Sequence, residues 1–99
     1  MGKKPELHPV TILKAPFLTG RFYDFRIYVD GHFVGNFAPT YGIQSETIYL
    51  ETGEHIMRIE ATRYRQVEQE ISFFVDREMT VQVRQKVLSW RLEFYLKTD

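Results

Sequence analysis

From Ser89 to Lys97 the side chains switch character at every residue: Trp90, Leu92, Phe94 and Leu96 alternate with Ser89, Arg91, Glu93, Tyr95 and Lys97. An α-helix would scatter such a set around its axis, whereas a strand gathers every second residue on one face. The same period of two returns along the chain. Tyr23, Phe25, Ile27 and Val29 alternate with Asp24 and Arg26, and His55, Met57, Ile59 and Ala61 with Arg58 and Glu60. Ile48 and Leu50, then Met79, Val81 and Val83, mark two further inward faces. A chain of many short half-buried strands must close its apolar faces against each other, as a sandwich or barrel.

Turn chemistry separates these runs. Asp30-Gly31 lies between two β-prone segments and supplies the positive φ angles of a tight hairpin. The return strand is His32–Phe37, where Gly35 implies a bulge or a close backbone approach. Pro39 and Gly42 mark a loop, and Glu51-Thr52-Gly53 and Asp76-Arg77-Glu78 mark turns. The segment 63–75 fits two templates. Val67, Gln69, Ile71, Phe73 and Val75 alternate as a strand, while Tyr64, Val67, Ile71 and Phe74 fit a helical stripe. Its β-branched and aromatic end favours the strand over the helix. Residues 1–9 read as a frayed arm, followed by a β-prone run from Val10 to Lys14 that Pro16 ends. The expected organisation is an N-terminal arm with at most a short strand over 1–20 and a domain over 21–99. The expected fold is all-β, an antiparallel sandwich of seven to eight strands, PEGA-like or immunoglobulin-like.

Residues 25–87 resemble the PEGA domain, a small β-sandwich module found mainly in bacterial and archaeal surface proteins. Ile27-Tyr28-Val29-Asp30-Gly31 is similar to that family's strand and turn, and Val34-Gly35 followed by Pro39 resembles its next step. Gly53-Glu54-His55 with the strand after it is similar to the family's Gly-x-His segment, and Tyr64 stands where a Gly-Tyr pair is usual. The chain departs from the pattern at Phe22–Phe25, at Arg63, by one extra residue between Gly35 and Pro39, and in its last segment, 89–97. The resemblance implies a sandwich of prokaryotic origin without enzymatic activity of its own.

Several chemistries lack their residues. With no cysteine among 99 residues, disulfides, thiolate metal sites and cysteine nucleophiles are excluded. Thirteen Lys and Arg balance thirteen Asp and Glu, which argues against a nucleic-acid partner. No apolar run is long enough for a membrane span, and no signal peptide stands at the start. The expected compartment is therefore the cytoplasm by default, or a cell surface if the chain is a fragment. His8, His32 and His55 have no metal-binding spacing, so neither a metal nor another cofactor is expected. The pairs Glu51 with Glu54 and Asp24 with Asp30 fall on turns or solvent faces rather than across a sugar-binding cleft. No nucleophile elbow or phosphate loop occurs, so no enzyme is expected.

Aromatic residues are in surplus: eight Phe, six Tyr and one Trp. Tyrosine buries area at low entropy cost and keeps a polar handle, which suits interfaces. Tyr28, Tyr49 and Tyr95 fall on outward positions and Tyr41 in a loop, so these four are the candidate binding residues. The expected function is a non-catalytic interaction module for a protein partner or a second copy, by aromatic contact or strand pairing, with 89–97 as the candidate edge. The alternative is carbohydrate stacked on exposed aromatics.

Overall fold

A computed structural model describes residues 6–14, 25–37, 44–61, 67–88 and 91–99. They form eight strands: β1 Leu7–Lys14, β2 Phe25–Val29, β3 His32–Phe37, β4 Gln44–Glu51, β5 Gly53–Ala61, β6 Val67–Val75, β7 Met79–Leu88 and β8 Arg91–Thr98. Two four-stranded sheets result, with orders β4-β1-β7-β8 and β3-β2-β5-β6. The chain crosses between the sheets after β1, β3, β4 and β6, so the two layers are interleaved in sequence.

The alternation sets the core. Val10 and Ile12 of β1, Phe25, Ile27 and Val29 of β2, Met57 and Ile59 of β5, and Val81 and Val83 of β7 are all buried between the layers. Phe25 and Phe94 meet across the layers edge to face, with ring centroids 5.4 Å apart and planes at 82°. Aromatic pairs favour this geometry because the positive edge of one ring meets the negative face of the other. Segment 67–75 is the strand β6, with Phe73 and Val75 buried and Phe74 exposed.

Two expectations need correction. The arm expected over residues 1–9 ends early, because β1 begins at Leu7 and already buries His8. β1 is also an interior strand of its sheet, paired antiparallel with β4 and parallel with β7. Pro9 stands one residue before the parallel ladder starts at Val10, where a missing N–H is tolerated. The sandwich is therefore not wholly antiparallel, although its other pairings are.

The inward period continues to Lys14, which is only 1% exposed. Burial removes water from its ammonium and lowers its pKa from 10.5.

Gly35 has both features expected of it. The β2–β3 register shifts between Ile27 and Tyr28, so β3 carries a bulge at Val34-Gly35. A Cβ on Gly35 would lie 2.9 Å from Cε1 of the buried Phe37 ring and 3.4 Å from Cγ of Glu46. Gly35→Ala is expected to destabilise the domain by about 1 kcal/mol. Urea unfolding followed by circular dichroism checks this, and an unchanged midpoint would mean that Phe37 moves aside freely.

Candidate functional site

The turns at one end of the sandwich hold the most connected polar group. Asp30 and Gly31 have φ of 51° and 81°, as the tight hairpin between β2 and β3 requires. Asp30 tolerates its angle because Asp visits the left-handed region more readily than most residues. Its N–H donates to the Ile56 carbonyl at 2.9 Å, and its Oδ1 accepts from the Ile56 N–H at 3.0 Å. Its Oδ2 lies 2.5 Å from Nδ1 of His55, whose Nε2 lies 2.7 Å from the Glu51 carbonyl. The His55 ring also tilts over Phe73, with centroids 5.9 Å apart. A turn residue of one hairpin thus grips the start of β5, and the imidazole carries the link on to the β4–β5 turn.

Both ring nitrogens of His55 face oxygen acceptors, so both donate when the ring carries its second proton. Burial pulls the His55 pKa down, but the hydrogen bonds to Asp30 and to the Glu51 carbonyl, with the charges of both acids, push it up more. The net is above 6.5. For Asp30, burial raises the pKa, while His55, the Ile56 N–H and the charge of His32 lower it more. The net is below 3.8. The two form an ion pair with the His55 side chain 12% exposed and the Asp30 side chain 40% exposed. A general base needs a free lone pair, and this arrangement occupies both nitrogens.

His8 is buried nearby and pairs through Nε2 with Thr52 Oγ1 at 2.8 Å. Among the described residues no group of three His, Asp or Glu is placed to hold a metal ion. Nor is any helix there long and apolar enough to cross a membrane.

The candidate tyrosines do not converge. Tyr28 points outward from β3-β2-β5-β6, but its ring is partly covered, by Phe33 edge-on at 5.5 Å and by the Arg58 guanidinium at 4.4 Å. Tyr49 and Tyr95 belong to the other sheet and are 64% and 43% exposed. They stand on its two opposite edge strands, with Tyr49 level with Pro9 and Tyr95 level with Arg84. Tyr41 and Trp90 lie outside the described residues.

What sequence reasoning missed is apolar surface beside Tyr28. Phe33, Ile56 and Phe74 are 59%, 48% and 58% exposed. Tyr28 pairs with Phe33 on β3, Ile56 lies one outward position along β5 from Arg58, the partner of Tyr28, and Phe74 lies one outward position along β6 from Ser72, the partner of Ile56. One apolar side chain per strand makes a diagonal across the whole sheet. Arg58 borders it, with Glu60 at 3.2 Å and Glu68 at 3.7 Å. The signal in sequence is Phe73-Phe74 and His55-Ile56, where an apolar residue occupies the outward phase of its strand.

The candidate edge β8 is indeed an edge strand of its sheet, but it is held at one point. Gln69 of β6 reaches across the seam, donating from Nε2 to the Phe94 carbonyl at 2.6 Å and accepting from the Phe94 N–H at 2.8 Å. Its side-chain amide thus does for β8 what a neighbouring strand would do.

No curated protein matches the chain. A PEGA domain family model matches residues 21–87, which cover both the Asp30 turn and the His55 strand that grip each other. The match, the sandwich and that contact between the family-like turn and the family-like strand agree, and the chain belongs to the PEGA domain family.

Proposed function

We propose that this small β module is non-catalytic and docks a protein partner on the outer face of β3-β2-β5-β6. The observation that carries the reading is the diagonal of Phe33, Tyr28, Ile56 and Phe74, exposed in part or in large measure on every strand of one sheet. Scattered apolar residues on a surface are ordinary, but contiguous ones rimmed by charge mark contact sites. Engagement of both His55 nitrogens supports a structural rather than a catalytic role for the most connected polar group.

The double variant Phe33→Ser, Phe74→Ser is the test. Both side chains are more than half exposed, and of the two Phe33 gives up an edge-on contact with Tyr28. The fold is therefore expected to persist with a melting temperature lowered by no more than about 10 °C, which circular dichroism checks. Light scattering after size exclusion, over a wide range of concentration, reads self-docking. Affinity capture from the source organism reads a different partner. Association by the natural chain that the double variant loses is the expected result. Association that survives both substitutions would sink the diagonal as the docking face. A strict monomer at every concentration would remove the version in which the partner is a second copy.

A further inference from the structure

The edge strands β6 and β8 face each other across the open side of the sandwich. Among the described residues no backbone hydrogen bond joins them, and the Gln69 amide is the bridge. Beyond that bridge lies a groove of about 640 Å³, with Ile71, Phe73 and Leu96 among its lining residues.

The direction of the backbone groups on the outer side of each strand follows from the ladders. The Ile56 backbone turns towards β2, since its carbonyl and N–H both bond Asp30. Backbone groups alternate sides along a strand, so His55 and Met57 turn towards β6 and meet Phe73 and Ile71. Glu70, Ser72 and Phe74 then aim their N–H and C=O groups into the groove. On β8 the Phe94 groups point the same way, held by Gln69, and Leu96 and Thr98 follow at two-residue steps.

The described residues of the groove thus offer a strand edge, an apolar floor and one charge. Among the described lining residues Glu70 is the sole charged side chain; Arg58 stands level with it on β5 but pairs with Glu60 and Glu68. We propose that the groove takes an extended peptide segment that adds as a strand to β6, with alternate apolar residues over Phe73 and Leu96 and a lysine or arginine opposite Glu70. Main-chain bonds give such docking its affinity, and the alternate side chains give it selectivity. This surface is separate from the diagonal apart from Phe74, which borders both.

The probe is a blocked seven-residue peptide of alternating valine and lysine, titrated into the full ¹⁵N-labelled chain. Amide shifts are expected at residues 70–74 and 95–98. A peptide with glutamate for lysine is expected to bind about three- to fivefold more weakly. Glu70→Lys, exposed and checked for fold by circular dichroism, should invert that order. N-methylation of every second peptide amide should remove binding if main-chain pairing carries it. No shifts at millimolar peptide, or an unchanged preference in Glu70→Lys, would overturn the proposal. Phe33→Ser separates the two surfaces: peptide binding that survives it belongs to the groove. Binding lost with it would place the peptide on the diagonal and end the groove proposal, leaving the docking face intact.

Discussion

Phe25→Ala is expected to lower the unfolding free energy by about 3–5 kcal/mol. Phe25 is 2% exposed on β2 and meets Phe94 of β8, so its removal takes contacts from both sheets at once. Ile27 and Val29 follow it on the same inward face, and Ile59 and Met57 stand level with those two on β5. These β-strand side chains cannot close a phenyl-sized void without moving the ladder that holds them. Small domains are stable by only about 5–15 kcal/mol, so the variant is expected to be marginal at room temperature. Phe25→Leu keeps most of the volume and should cost less than half as much. Urea unfolding followed by circular dichroism measures both. A loss below about 1 kcal/mol for the alanine variant would mean that the two sheets do not depend on this contact.

Side-chain phase was legible because it is local. The inward positions of β2, β5 and β7 follow from residues two apart, and the structure buries Phe25, Ile27, Met57, Ile59, Val81 and Val83 accordingly. The Asp30-Gly31 hairpin was legible for the same reason, since a tight turn is written in its two central residues. Pairing is another matter. Nothing in Val10–Lys14 says that this strand lies inside its sheet or runs parallel to β7, because the partner is about seventy residues away and the same pattern would suit an edge.

The same limit applies to the site. Alternation places Tyr28, Tyr49 and Tyr95 outward but does not say that they occupy two sheets and opposite edges. Gln69 carries a signal of its own: a polar residue in the inward phase of a strand needs a partner, and it finds the Phe94 backbone. Asp30 and His55 could each be singled out, one as a turn residue and one as the start of a strand. Their contact spans 25 positions and became visible only when β2 was paired with β5.

That contact should make stability depend on pH in two directions. His55 has a folded pKa above 6.5, so its contribution is complete below 6.5 and is lost as pH rises through the higher folded value. Asp30 has a folded pKa below 3.8, so its contribution is present above 3.8 and is lost as pH falls through the lower folded value. The ion pair is therefore at full strength between these two ordinary values. The groups facing it are Glu51 on the β4–β5 turn and His32 at the start of β3. Asp30→Ala removes the acceptor of a charged hydrogen bond and of the Ile56 N–H, and puts alanine at a φ of 51°. A charged hydrogen bond contributes about 1.5–3 kcal/mol, and solvent at the 40% exposed carboxylate keeps this one near the lower end. With the backbone strain added, the expected loss is about 2–3 kcal/mol near pH 6. Asp30→Asn keeps the shape and isolates the charge. It should flatten both limbs of the stability curve and return the His55 titration, followed by NMR of its ring protons, towards 6.5. Burial of Lys14 works the other way as pH rises towards 10.5, so the variant is the reference. A change in stability from pH 6 to about pH 9 that is the same in the natural chain and in Asp30→Asn would show that the imidazolium contributes nothing to holding these turns together.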